Sequence, residues 1–194
     1  MTREQDVGNE DEGGLDAALG RFVADARSDL AAHARGRQRW LEVQAAEEMS
    51  LLGVVWDLAE RGATALVTTV AGRHHRGVVS GAGTDFVCLR PAGVGLVVLP
   101  LHAVVAVRPE AGTVVAGDRR PDEIDATDLR ATLADLAADR PAVTALALGS
   151  GEPLTGELRS VGLDVVVLAV GQERRDVAYL RLSSLAELSV IVSG

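Results

Sequence analysis

A chain of 194 residues, 47% of them hydrophobic, can build one domain or two small ones around a true core, which excludes disorder for most of its length. Aromatic residues make up only 3%, too few for a dedicated single-strand binder that stacks bases on rings. A formal charge of -9 opposes broad attraction to phosphate, so any nucleic-acid contact has to come from local clusters of arginine, the only basic residue besides histidine that the chain uses.

Residues 1–13 hold Glu4, Asp6, Glu10, Asp11 and Glu12 against Arg3, with glycines and almost nothing apolar, and read as a disordered acidic tail. This stretch lacks the apolar run of a signal peptide, and no apolar stretch elsewhere is long enough to span a bilayer; the expectation is a soluble, cytoplasmic protein without membrane contact. Residues 14–62 form an N-terminal helical region. Leu15, Leu19, Phe22, Val23, Ala26 and Leu30 recur at three- and four-residue spacings on one stripe. A second helix is expected from about Arg39 to Glu60, stopped by Gly62.

From residue 63 the period becomes that of strands, rich in valine and punctuated by glycine and proline, as far as residue 108. Residues 109–141 read as a linker and a helix capped by Asp128 or Thr127, and residues 142–194 return to strands. The two strand-rich regions are copies. Arg61, Gly72, Gly77, Gly83, Asp85 and Leu89 recur as Arg140, Gly151, Gly156, Gly162, Asp164 and Leu168, all 79 positions on (164 − 85 = 79). After a two-residue insertion, Leu99, Leu101, Val104 and Val107 recur as Leu180, Leu182, Leu185 and Leu188 (180 − 99 = 81). The preceding helices match as well, Trp56-Asp57-Leu58-Ala59 with Ala134-Asp135-Leu136-Ala137.

The spacing Gly72-x4-Gly77-Val-Val-x3-Gly83-x-Asp85-Phe-Val-x-Leu89, closed by Leu99-Pro100-Leu101-x-Ala103-Val104, resembles Sm-like and SH3-like small β-barrels, among them the barrel of bacterial ribosome maturation factors. The layout also resembles an uncharacterised family from GC-rich bacteria that often carries a Fis-type regulator label. That label requires a C-terminal helix-turn-helix, which the strand-like end DVAYLRLSSLAELSVIVSG does not offer. The resemblance implies an α+β fold: N-terminal helices and two tandem five-stranded barrels, each preceded by a helix. An Sm-type base pocket would need an asparagine soon after the aspartate, where this chain has Val87, Cys88 and Leu89, or Val166, Val167 and Leu168.

Gly77, Gly83, Asp85, Gly156, Gly162 and Asp164 are expected to shape turns and bends, because equivalence under the repeat argues for one structural task performed twice rather than a catalytic carboxylate pair. Arg73, His74, His75 and Arg76 at one hairpin, Arg35, Arg37 and Arg39 in the helical region, and Arg159, Arg174 and Arg175 in the second copy are the nucleic-acid-binding candidates, each competing with a plain solvated surface. The lone Cys88 allows no internal disulfide, and His33 and His102 have no thiol or carboxylate at ligand spacing, so no metal or cofactor is expected. No nucleophile elbow or phosphate loop is present, and no small-molecule substrate follows. The expectation is a non-enzymatic scaffold or adaptor for a protein partner or for itself, with an RNA-binding role through the arginine clusters as the alternative.

Overall fold

The computed structural model describes residues 33, 35–41, 43–44, 46–93, 95–119, 127–171 and 175–191. The acidic tail, the helix read over Leu15 to Leu30, and Arg174 lie outside them. The chain divides into two compact units, Met1–Glu47 and Glu48–Gly194. In the first, the described residues from 33 to 47 are helical.

The helix expected to run on to Glu60 breaks before it. Ser50 takes an extended backbone (φ -124°, ψ 153°), and its side chain accepts from the Gly53 amide, so it caps a separate helix α1 (Leu51–Glu60). Gly62 at φ +55° ends that helix in a conformation that glycine adopts without strain. Strands β1 (Thr64–Thr69), β2 (His74–Ala82), β3 (Phe86–Arg90) and β4 (Val97–Pro100) follow, then a short 3-10 turn and β5 (Val104–Pro109). Helix α2 (Leu129–Ala138), capped by Asp128 on the Ala131 amide, precedes β6 (Ala142–Ala147), β7 (Leu154–Val161), β8 (Val165–Val170) and β9 (Asp176–Arg181). A second 3-10 turn leads into β10 (Leu185–Val190).

These strands do not form two five-stranded barrels. They make one antiparallel sheet in the order β5-β1-β2-β3-β4-β10-β6-β7-β8-β9, and the fold is mostly β. Each copy has the same internal order, fifth strand beside first, then second, third and fourth, and so the duplication survives in the pairing. A separate barrel would need β4 to return to its own β5. Instead β4 pairs with β10 of the other copy, Val98 with Leu188 and Val97 with Ser189, and the two copies become one sheet.

Burial follows from that junction. Strand β3 is buried on both faces: Val87 and Leu89 enter a core with Leu52, Val55 and Leu58 of α1, while Phe86 and Cys88 enter a second core with Leu129 and Leu133 of α2 and Leu158, Val166 and Leu168. Alternate side chains of one strand thus serve the cores of both copies. The segment expected as a free linker is also packed: Asp57 Oδ2 accepts from the amides of Ala116 and Gly117, which holds residues 116–117 against α1.

The matched glycines Gly77 and Gly156 both stand where a neighbouring strand's backbone comes close. A Cβ on Gly77 would lie 2.6 Å from the Arg90 carbonyl oxygen, and one on Gly156 would collide with that of Ala169. Gly77→Ala and Gly156→Ala are each expected to destabilise the fold by about 1–3 kcal/mol, the ordinary range for overpacking, read as a lower midpoint of urea unfolding. Gly81→Ala, with open space around the added Cβ, is expected to match the parent or exceed it by up to about 1 kcal/mol, the gain for a glycine-to-alanine change at a compatible site.

Candidate functional site

The junction between the copies buries a carboxylate against a histidine. Glu187 on β10 is 3% exposed and meets His75 Nε2 at 3.0 Å and Arg73 Nε at 3.2 Å, both from the β1–β2 hairpin of the other copy. Its Oε1 also accepts from Ser189 Oγ at 2.9 Å. Burial by itself pushes the Glu187 carboxyl up, but the His75 contact, the Ser189 hydroxyl and the Arg73 guanidinium together outweigh it and hold the group below its ordinary value.

That cluster takes up much of the hairpin read as a phosphate contact. Arg73 and His75 face Glu187, Arg76 is paired with Glu110 at 2.6 Å, and His74 Nδ1 lies 3.0 Å from Thr68 Oγ1. In the second copy, Arg159 is paired with the buried Glu157 at 2.9 Å, and Arg175 is exposed but engaged. Arg35, Arg37 and Arg39 are exposed on the helical residues of the first unit. Every described arginine of the two hairpin clusters therefore already has an interaction, and the hairpin does not present a free cationic face.

Asp85 and Asp164 both lie in the bends that lead into β3 and β8, and their backbones do matching work: the Asp85 carbonyl accepts from Leu101 N (2.8 Å), the Asp164 carbonyl from Leu182 N (2.7 Å). The glycines before them match too, Gly83 N donating to Phe86 O and Gly162 N to Val165 O. The side chains differ. Asp85 Oδ1 accepts from the Leu129 amide at 2.7 Å, 44 residues away, and so fixes the first turn of α2 to the other copy. Asp164 is exposed.

The two carboxylates also line one open cavity of about 280 Å³, together with His102, Ser183, Leu129, Leu163 and Leu182. Their equivalence under the repeat argues against a pair, yet the joining of the copies brings them to one cavity. One carboxylate of the pair is already spent on the helix amide, and His102 Nε2 lies 3.1 Å from the Leu185 carbonyl, to which it donates. Among the described residues no cluster of His, Cys, Asp and Glu could hold a metal ion. Cys88 is buried, which pushes its thiol up to about 11 against a small opposing pull from Arg90, so it stays protonated and unreactive near neutrality.

No family model, curated protein or solved structure matches this chain. Among the described residues, no helix is long and apolar enough to cross a membrane.

Glu187→Ala leaves the buried His75 ring without its hydrogen-bond partner and is expected to cost about 1–3 kcal/mol, measured by denaturant unfolding. Because the folded carboxyl titrates below its ordinary value of 4.5, the contribution of Glu187 is fully present above that pH and lost as pH falls through the lower folded value; the cost of Glu187→Ala should therefore shrink below pH 4.5. Asp85→Ala is expected to lower stability by about 1 kcal/mol through the lost helix-terminal bond, whereas Asp164→Ala in the dilute chain should change it by less than about 0.5 kcal/mol. Equal losses at both aspartates would contradict the asymmetry described here.

Proposed function

We propose that the protein is a non-enzymatic scaffold or adaptor that presents the two ends of its sheet to a protein partner. One observation carries the reading: among the described residues the outermost strands, β5 and β9, each have one unpaired edge, and they carry exposed apolar side chains, Val105 on β5 and Val177 and Tyr179 on β9. An edge of this kind offers main-chain donors and acceptors to an added strand, while the apolar side chains beside it supply burial.

The alternative, an RNA-binding role through the arginine clusters, draws less support, because the carboxylates of Glu187, Glu110 and Glu157 already neutralise Arg73, Arg76 and Arg159. Phosphate contact at these positions would first have to displace an ion pair. A catalytic role for the cavity at Asp85 and Asp164 draws less again, since its histidine and one of its carboxylates are engaged with backbone groups.

Binding to mixed cellular RNA, followed at low and moderate salt, separates the two leading readings. The scaffold predicts weak association without a steep salt slope. Tight binding that falls steeply with salt would instead establish the RNA reading.

A further inference from the structure

Resting on the scaffold reading, we propose that the partner of the sheet ends is a second copy of this chain, with the β9 edge of one molecule pairing head-to-tail with the β5 edge of the next in the register that already joins β4 to β10 inside the molecule.

The repeat supplies the template. Strand β9 is the second-copy counterpart of β4, and β5 is the first-copy counterpart of β10. The internal junction consumes one strand of each kind; the molecule's ends leave one of each kind unpaired. Exposure at equivalent positions shows the same deficit. Val98 on β4 is fully buried, while its counterpart Tyr179 on β9 is 74% exposed; Ala186 on β10 is fully buried, while its counterpart Val105 on β5 is 61% exposed. These apolar residues stand where the internal junction is dry.

Backbone direction agrees. On β9, the bond from Leu182 N to Asp164 O fixes which residues face β8, and alternation turns the amides and carbonyls of Val177 and Tyr179 to the open side. On β5, the bond from Glu110 N to Thr64 O does the same and turns Val107 outward. Internal partners Val98 and Leu188 translate to Tyr179 and Val107, and Val97 and Ser189 translate to Ala178 and Arg108. The predicted contact is therefore Tyr179 opposite Val107 of the neighbouring copy.

Side chains around the edge fit a neighbour of the same kind. The ionic cluster of the internal junction has no counterpart: Glu187 corresponds to Ala106, His75 to Leu154 and Arg73 to Glu152. Ala106 and Leu154 are both exposed, so an apolar contact stands in the place of the buried His75–Glu187 pair. Asp164 lies where Asp85 receives the Leu129 amide, and the corresponding amide on the incoming copy is that of Leu51 at the start of α1. Leu163, 89% exposed, stands at the place of Thr84, whose amide donates to the Thr127 carbonyl ahead of α2. One bond is missing from the translated set. Val190 N donates to Leu96 O inside the molecule, but its counterpart is Pro109, which has no N–H.

Because the two edges are different, the association is heterologous, and blocking either one has a distinct signature. Mass is measured by sedimentation over a range of concentrations for the full chain, for Tyr179→Pro, which removes the outward amide on β9 that would face Val107, and for Val107→Pro, which does so on β5; Tyr179→Glu and Val105→Glu replace them if circular dichroism shows either misfolded. The parent chain is expected to rise with concentration from 20.2 kDa to multiples of it. Each blocked variant alone is expected to stay at 20.2 kDa, and an equimolar mixture of the two to form a one-to-one dimer and nothing larger. A parent chain that stays monomeric, or a single-edge variant that dimerises by itself, overturns the proposal. If the monomeric parent still binds another protein, the scaffold reading survives that failure; if it binds RNA with a steep salt dependence, both fall.

Discussion

The pairing of β4 with β10 is the constraint on which the rest of the structure depends. It is short, with Val97 and Val98 opposite Ser189 and Leu188, yet it decides that β3 and β4 lie inside a sheet rather than at the rim of one. Once they are interior, both faces of β3 must be apolar. Phe86, Val87, Cys88 and Leu89 satisfy that requirement with four consecutive buried residues instead of the alternation that a one-sided strand would show. Helix α2 then covers the face that α1 does not reach, and the amide of Leu129 is held by an aspartate from the other copy. The two copies are therefore not independent beads; the first supplies Phe86, Cys88 and Val98 to the core of the second.

The polar groups at the junction show how such a joint is made specific. Burying Glu187 alone would be costly, and the arrangement offsets the cost with His75, Arg73 and Ser189, two of them delivered by a hairpin far away in sequence. A shift of β10 by one residue would turn Glu187 to the opposite face and leave His75 unmatched. Hydrophobic burial supplies the attraction, and the cluster fixes the register in which that attraction is realised. His75 is accordingly better understood as a register device than as a hairpin-tip ligand.

The duplication itself was legible in the sequence, because glycines and aspartates at a fixed spacing record backbone requirements that each copy must meet: Gly77 and Gly156 where another strand's carbonyl comes close, Gly83 and Gly162 in the bends before β3 and β8. The destination of β4 was not. Periodicity tells which face of a strand is buried, but it is silent on which edge pairs with which, and a barrel closing on its own β5 and a sheet continuing into β10 ask for the same strands in the same order. The run of apolar residues in β3 was the available signal, since a barrel strand with one wet face does not need Phe86 and Cys88 as well as Val87 and Leu89. The use of Asp85 by an amide 44 residues away, and its meeting with Asp164 at one cavity, are consequences of that same non-local choice. The break at Ser50 was a local signal of another kind: a serine before Leu-Leu-Gly is a capping residue, and apolar spacing on both sides obscured it.

Equivalent positions that differ in exposure are informative because the repeat controls for backbone and neighbours. Natural sheets blunt their edges with charge, proline or bulges. Here β9 keeps its charges at its ends, Asp176 and Arg181, and leaves valine and tyrosine along the open side, whereas β5 carries Pro109, which removes one donor from any ladder built on it. An association between molecules through these edges would thus have one fewer main-chain bond than the internal junction and no buried ion pair to set its register. The internal joint also gains from covalent connection, which turns a second-order encounter into an intramolecular one. On the proposed head-to-tail pairing, the same strand geometry would hold permanently within the chain and reversibly between chains, because only the internal joint has the ion pair, the extra main-chain bond and the covalent link.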